Sequence, residues 1–211
     1  MIIIEHLEDV LSPWLFYEYK HSAEIYPKLL ITNVRDYLER IVLSEYCNAI
    51  SLSITDIPFK KVVVLDPLAE EPLTQDDFKN SVIVVGGILG DHPPRGRTRE
   101  LLSSKVRCET RTLGEGQFSI DSAVYIASMV EKGISIDSID FVDGFQINIP
   151  GKYERIIELP YRYPIVNGRV LISEELLKYI REEMELDDHI ALRSGKAVSI
   201  VDKIKKHLSL R

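Results

Sequence analysis

Short runs rich in apolar and β-branched residues recur at 2–4, 49–54, 62–65, 82–85 and 106–112, and each has the length of a strand. Between them the apolar positions return every three or four residues. Residues 9–23 bring Val10, Trp14 and Tyr17 to one helical face, and residues 26–44 repeat the spacing through Val34, Leu38, Ile41 and Val42. Thr74, followed by Asp76 and Asp77, predicts a short helix, because the hydroxyl caps a backbone N–H and the carboxylates suit the positive end of the helix dipole. Ser119 or Asp121 starts another that runs to about Lys132, packs through Val124, Ala127, Met129 and Val130, and ends at Gly133. Strands alternating with helices predict an α/β domain: a mainly parallel sheet flanked by helices, with its ligand loops at the carboxyl ends of the strands.

The pattern changes after about Phe141. Pro150, Pro160 and Pro164 interrupt the chain, Ser173 opens a helix through Leu176, Leu177, Ile180 and Met184, and a last amphipathic helix covers 197–208. The expected organisation is therefore a core over residues 1–140 and an extension over 141–211 that holds two helices.

Composition narrows the partners. The 211 residues are 45% hydrophobic and 28% charged, enough apolar material for one sizeable core. The net charge of −7 speaks against a general nucleic-acid surface and favours a basic partner, although Arg95, Arg97, Arg99, Lys105, Arg107 and Arg111 cluster locally. Cys47 and Cys108 lie far apart, without the spacing of a metal site or a disulfide framework. The apolar start stops at Glu5, too soon for a signal-peptide core or a membrane span, so a cytoplasmic protein is expected.

The densest candidate chemistry is GGILGDHPPRGRTRE, residues 86–100. An apolar strand runs directly into Gly86 and Gly87, where missing side chains let the backbone approach a ligand. The glycines match neither the dinucleotide fingerprint nor a phosphate-binding P-loop. Two prolines then stiffen a loop that carries Asp91, His92, Arg95 and Arg97. Two readings fit these residues: a ligand site, or a surface loop whose arginines pair with Asp91 or Glu100.

This loop resembles that of the SPOUT superfamily of knotted methyltransferases, and within it the small group marked by GGILGDHPPR, which includes an arginine methyltransferase of a ribosomal protein. The resemblance extends through IEHLEDVLSPWLFYEY (4–19), VLDPLAEEPLTQDDF (64–78) and RTLGEGQFSIDSAV (111–124), with a looser echo in ELPYRYP (158–164). It implies a trefoil knot and S-adenosylmethionine as methyl donor. The donor would be bound by loops after three strands: Leu65, Asp66 and Pro67; Gly86, Gly87, Ile88, Leu89 and Gly90; and Thr112, Leu113, Gly114 and Gln117. Phe118, Ser119 and Ile120 depart from the family pattern.

If the methyl acceptor is a protein arginine, carboxylates must hold the guanidinium and take its proton. Glu5 and Asp91 are the expected groups, with Glu8 close by, and Arg95 is expected to orient the donor carboxylate or a substrate group. Read without the family, Glu5 and Glu8 are solvated residues that complement a helix dipole, and His6 is either a base or a hydrogen-bonded structural residue. Trp14, Tyr17 and Tyr19 read as packing. The expected substrate is a basic ribosomal protein; tRNA or rRNA is the alternative, and a non-catalytic binding module stands third. The oligomeric state stays open between monomer and homodimer.

Overall fold

The computed structural model describes residues 1–90, 95–149 and 155–209, with side chains as far as 206. Six parallel strands form the central sheet: β1 (Ile2–His6), β2 (Leu30–Thr32), β3 (Asn48–Ala49), β4 (Val62–Leu65), β5 (Val82–Gly87) and β6 (Glu109–Arg111), in the order β3-β2-β1-β5-β4-β6. The near-continuous apolar runs of β1, β4 and β5 follow from burial on both faces. Ile2, Ile4, Val63, Leu65, Ile83 and Val85 point to one face. Ile3, Val62, Val64, Val82 and Val84 point to the other, where they meet Ile54 and Leu102.

The first face is covered by α1 (Pro13–Ile25) and α3 (Ile120–Glu131). Ser12 caps α1 by accepting from the Leu15 N–H, and Pro13 occupies the first turn, where no intrahelical N–H is needed. The segment expected as one helix over 26–44 instead holds β2, a left-handed turn at Asn33 (φ 61°) and a short α2 (Tyr37–Ser44) capped by Asp36. The strand expected over 49–54 divides into β3 and a 3₁₀ turn at Ile54–Asp56. Thr74 does open a short helix, a 3₁₀ turn at Gln75–Phe78 held by a capping box with Asp77.

After Phe141 the chain departs from the expected two-helix extension. A long antiparallel pair, β7 (Phe141–Ile149) and β8 (Arg155–Val166), joins the short β9 (Arg169–Val170), and three helices follow: α4 (Glu174–Glu182), α5 (Met184–Ser194) and α6 (Ile200–Ser209). Ile147, Ile149, Leu159, Tyr163, Leu177 and Ile180 build a second core between this sheet and α4. The extension returns to the main sheet: Ile200 and Val201 of α6 join the first core, and the Ile200 N–H donates to the Leu11 carbonyl at 2.9 Å.

Candidate active site

The ends of β4, β5 and β6 open onto a cavity of about 360 Å³, within the roughly 300–1,000 Å³ range of small-molecule sites. Three stretches distant in sequence meet there because β5, β4 and β6 are neighbours in the sheet. Leu65, Asp66 and Pro67 line it, as do Gly86, Ile88, Leu89 and Gly90, and Thr112, Leu113, Gly114 and Gln117. The exposed Arg95 stands on its rim. The N-terminus of α3 closes the base through Ser119, Ile120 and Ala123, residues that the sequence reading left out together with Arg97 and Thr98. The amphipathic start of α3 carried their signal, since a helix that begins at a strand end presents its first turn to whatever lies there.

Two expected residues have other roles, and a third falls where nothing is described. Gly87 does not line the cavity; it lies beneath the buried Tyr19, where a Cβ would come within 2.1 Å of the phenol oxygen. Glu5 is also buried away from the cavity. Its carboxylate accepts from the Thr32 hydroxyl, from Ser53 Oγ at 2.6 Å and from the Ile54 N–H at 3.1 Å, binding β1 to β2 and to the 3₁₀ turn. Asp91 lies outside the described residues. Glu5→Gln places an NH₂ among those donors, so a loss of about 2 kcal/mol in urea unfolding is expected, with methyl transfer per folded molecule preserved. A stable but inactive Glu5→Gln protein would restore Glu5 to the chemistry.

Glu8 takes the position that spacing had left open. Its Oε1 accepts from the Leu89 N–H and from Arg97 Nη1, both at 3.0 Å, and its Oε2 accepts from Arg97 Nη2 at 3.2 Å. Arg97 Nη1 also donates to the Leu89 carbonyl at 3.1 Å. The fork-on-carboxylate geometry thus fixes the glycine loop against the turn after β1. Asp66 acts similarly on the opposite wall, accepting from the Leu68 N–H, Arg99 Nε and Ser103 Oγ.

The lining loops are braced by β8, within the ELPYRYP stretch. Tyr161 Oη donates to the Gly90 carbonyl at 3.0 Å, the Arg162 N–H donates to the Gln117 carbonyl at 2.7 Å, and Arg162 Nη1 donates to the Glu115 carbonyl at 2.9 Å. A bulge produces this reach, because Pro160 and Tyr161 of β8 face the single Gly144 of β7. Beneath the cavity, Glu18 accepts from Trp14 Nε1 at 2.8 Å and from the Ile120 N–H at 3.1 Å, so α1 holds the first turn of α3. Burial and the charge of Asp121 push the Glu18 carboxyl up to about 8.

His6 is a structural histidine. Its Nδ1 is 2.9 Å from Tyr19 Oη, and burial lowers its pKa to about 4 against an opposing pull from Glu8. Above pH 6.5 the ring is neutral in both the folded and unfolded states, but between 6.5 and about 4 the unfolded chain takes up a proton that the folded chain refuses. Stability is therefore lost as pH falls through that window. In urea titrations His6→Gln should remove up to about one proton, ~1.4 kcal/mol per pH unit, from the acid slope; an unchanged slope would contradict the buried neutral ring.

A parallel sheet whose strand-end loops enclose a glycine-edged cavity defines a small-molecule-binding α/β protein. More particularly, the family model described as Protein arginine N-methyltransferase SFM1-like matches residues 1–187, and the chain belongs to that family. The chain is 31% identical over 211 residues to Protein arginine N-methyltransferase SFM1 of Saccharomyces cerevisiae, covering 88% of this chain and 97% of the relative. The crystal structure of the yeast arginine methyltransferase SFM1 complexed with SAM superposes with a TM-score of 0.75 at 26% identity, covering 86% of this chain and 90% of that one. The yeast complex with SAH gives 0.73 at 27% identity, with 85% and 93% covered.

Proposed function

We propose that the chain transfers a methyl group from S-adenosylmethionine to an arginine of a basic protein, a ribosomal protein being the leading candidate, in the cytoplasm. The observation that carries this reading is the convergence of 65–67, 86, 88–90, 112–114 and 116–117 on one cavity, in a chain whose yeast relative is solved with SAM and with SAH. The cavity suits that donor. Leu65, Leu89, Leu113 and Ile120 offer apolar walls to a flat heteroaromatic ring, backbone groups edge it, and a Cβ on Gly114 (φ 100°) would meet no atom within 4 Å. The three loops are proposed to form the trefoil knot, with the chemistry carried by residues 1–140 and bracing supplied by 141–211.

When bound, the donor supplies a methyl carbon on a positively charged sulfur. A guanidinium nitrogen forms the new C–N bond as the C–S bond breaks, and one proton leaves the guanidinium. The protein's part is alignment and proton removal. The loops at Gly86–Gly90 and 112–117 hold the donor, Arg95 faces its carboxylate, Glu8 with Arg97 keeps the loop rigid, and Asp91 holds the incoming guanidinium and accepts its proton. The basic run that favoured an RNA substrate spends much of its charge internally: Arg97 on Glu8, Arg99 on Asp66, and Arg111 on Asp77, Glu71 and Glu109.

The test is incubation with labelled S-adenosylmethionine and a ribosomal extract, split between nuclease and protease before the label is located. Label that survives nuclease and appears as methylarginine after hydrolysis supports the proposal. Label released by nuclease alone overturns it in favour of RNA.

A further inference from the structure

A second cavity, of about 970 Å³, opens between the turn after β1 and the last two helices. Its base is apolar, with Val10, Leu186, Ile190 and Val198 lining it; Leu186 and Ile190 stand 59% and 41% exposed. Around them lie five carboxylates, Asp9, Glu182, Glu183, Asp187 and Asp202, against three ammonium groups, Lys196, Lys203 and Lys206, a surplus of two negative charges. Lys203 is committed inside the protein, 2.6 Å from Glu183 and 2.7 Å from Asp187. The acidic side chains outside that cluster are Asp9, Glu182 and Asp202, Glu182 lying 4.0 Å from the exposed Lys178 on its own helix.

Position and sign both tie this groove to the donor cavity. Asp9 and Val10 directly follow Glu8, whose carboxylate accepts from the N–H of Leu89 in the donor-cavity wall, so the groove connects to the glycine loop through one side-chain contact. The described wall of the donor cavity offers a cationic substrate little attraction: it presents Arg95 and Arg97, and its buried carboxylate, Asp66, is engaged by Arg99 and Ser103. A protein that presents an arginine there needs its electrostatic guidance from the neighbouring surface, and charge complementarity of this kind sets register and encounter rate.

We infer that this groove docks the protein substrate, taking a basic segment with an apolar residue that flanks the arginine presented to the donor cavity. The inference rests on the arginine-methyltransferase reading above. Lysines or arginines of that segment pair with Asp9, Glu182 and Asp202, while the apolar residue sits between Leu186 and Ile190. The net charge of −7 acts in the same direction at longer range.

The test uses the full chain and two fluorescent synthetic peptides, each with a central arginine. One has lysine and leucine flanks, and in the other glutamate replaces every lysine. The triple variant Asp9→Asn, Glu182→Gln, Asp202→Asn leaves the Lys203 cluster intact. It should raise the Kd of the lysine peptide about tenfold or more, with melting temperature and S-adenosylmethionine affinity unchanged. The parent should bind that peptide more weakly as salt rises and the glutamate peptide hardly at all. In turnover assays the variant's KM for protein substrate should rise at constant kcat. Peptide affinity within about twofold of the parent would overturn the proposal. So would a parent dimer, seen by sedimentation, that the variant dissolves, because the groove would then seat a second copy. A parent that forms no methylarginine refutes the methyltransferase reading instead, a separate result.

Discussion

Replacing Glu8 with alanine is expected to raise the Kd for S-adenosylmethionine about 100-fold, equivalent to ~2.7 kcal/mol, while the melting temperature stays close to that of the parent. The asymmetry follows from what Glu8 holds. Its two oxygens take the Leu89 N–H and both terminal nitrogens of Arg97, so one substitution releases the glycine loop at a backbone position and at a side-chain position together. Few core contacts go with it, since both side chains are partly exposed, 23% for Glu8 and 30% for Arg97. A loop free to sample other arrangements must be ordered again each time the donor binds, and that cost appears as lost affinity. Glu8→Gln retains one acceptor and should lie between parent and alanine. Calorimetric titration with S-adenosylmethionine decides the matter: affinity within about threefold of the parent would mean that the ion pair does not shape the cavity.

Gly87→Ala should act on folding instead, with a loss of about 4 kcal/mol: up to ~3 from overpacking and ~1 from a hydrogen bond. The added methyl would lie 2.1 Å from Tyr19 Oη, 2.8 Å from the Glu5 carbonyl and 3.0 Å from Ile4 Cγ2. Tyr19 is fully buried and bonded to His6, so it has nowhere to swing, and the Glu5 carbonyl is backbone inside the paired β1–β5 ladder. Relief requires β1 and β5 to move apart at the register pair His6–Gly87, next to the cavity. Denaturant unfolding measures the loss. Gly86→Ala is the control: its Cβ meets nothing closer than 3.4 Å, so it should fold normally. Equal stability of the two variants would refute the steric account.

Strands buried on both faces were legible in the sequence because their composition leaves little else: residues 62–65 appear as β4, and 82–85 as β5 with the two glycines added. β2 was hidden. Three residues are too few for alternation to show, and Leu30 and Ile31 also fit the helical spacing of their surroundings; Pro27 and Asn33 were the better markers of its ends. β7 had a clear period of two in Phe145, Ile147 and Ile149, but the prolines of the following segment masked its partner. Pro160 is tolerated because it sits at the bulge opposite Gly144, where the ladder asks less of it.

The strand-end cavity was legible for a different reason. Its residues form three short contiguous stretches at strand ends, and eleven of the twelve expected positions line it. Charged residues were harder to place, because spacing does not tell which way a side chain at a strand end turns. Glu5 and Glu8 stand three apart, yet Glu5 turns into β2 and Glu8 toward the glycine loop. Tyr161 and Arg162 belong to an element that had no expected place in the sheet, and so no expected place at the site.

That last pair gives the cavity a history. Tyr161 closes on Gly90 across 71 residues of chain. At a synthesis rate of about 5–20 residues per second, roughly 4–14 s separate the making of the glycine loop from the making of the strand that braces it. The nascent protein therefore passes through an interval in which the central sheet has been made and the bracing strand has not. A product truncated before β8 would be released with its glycine loop unbraced.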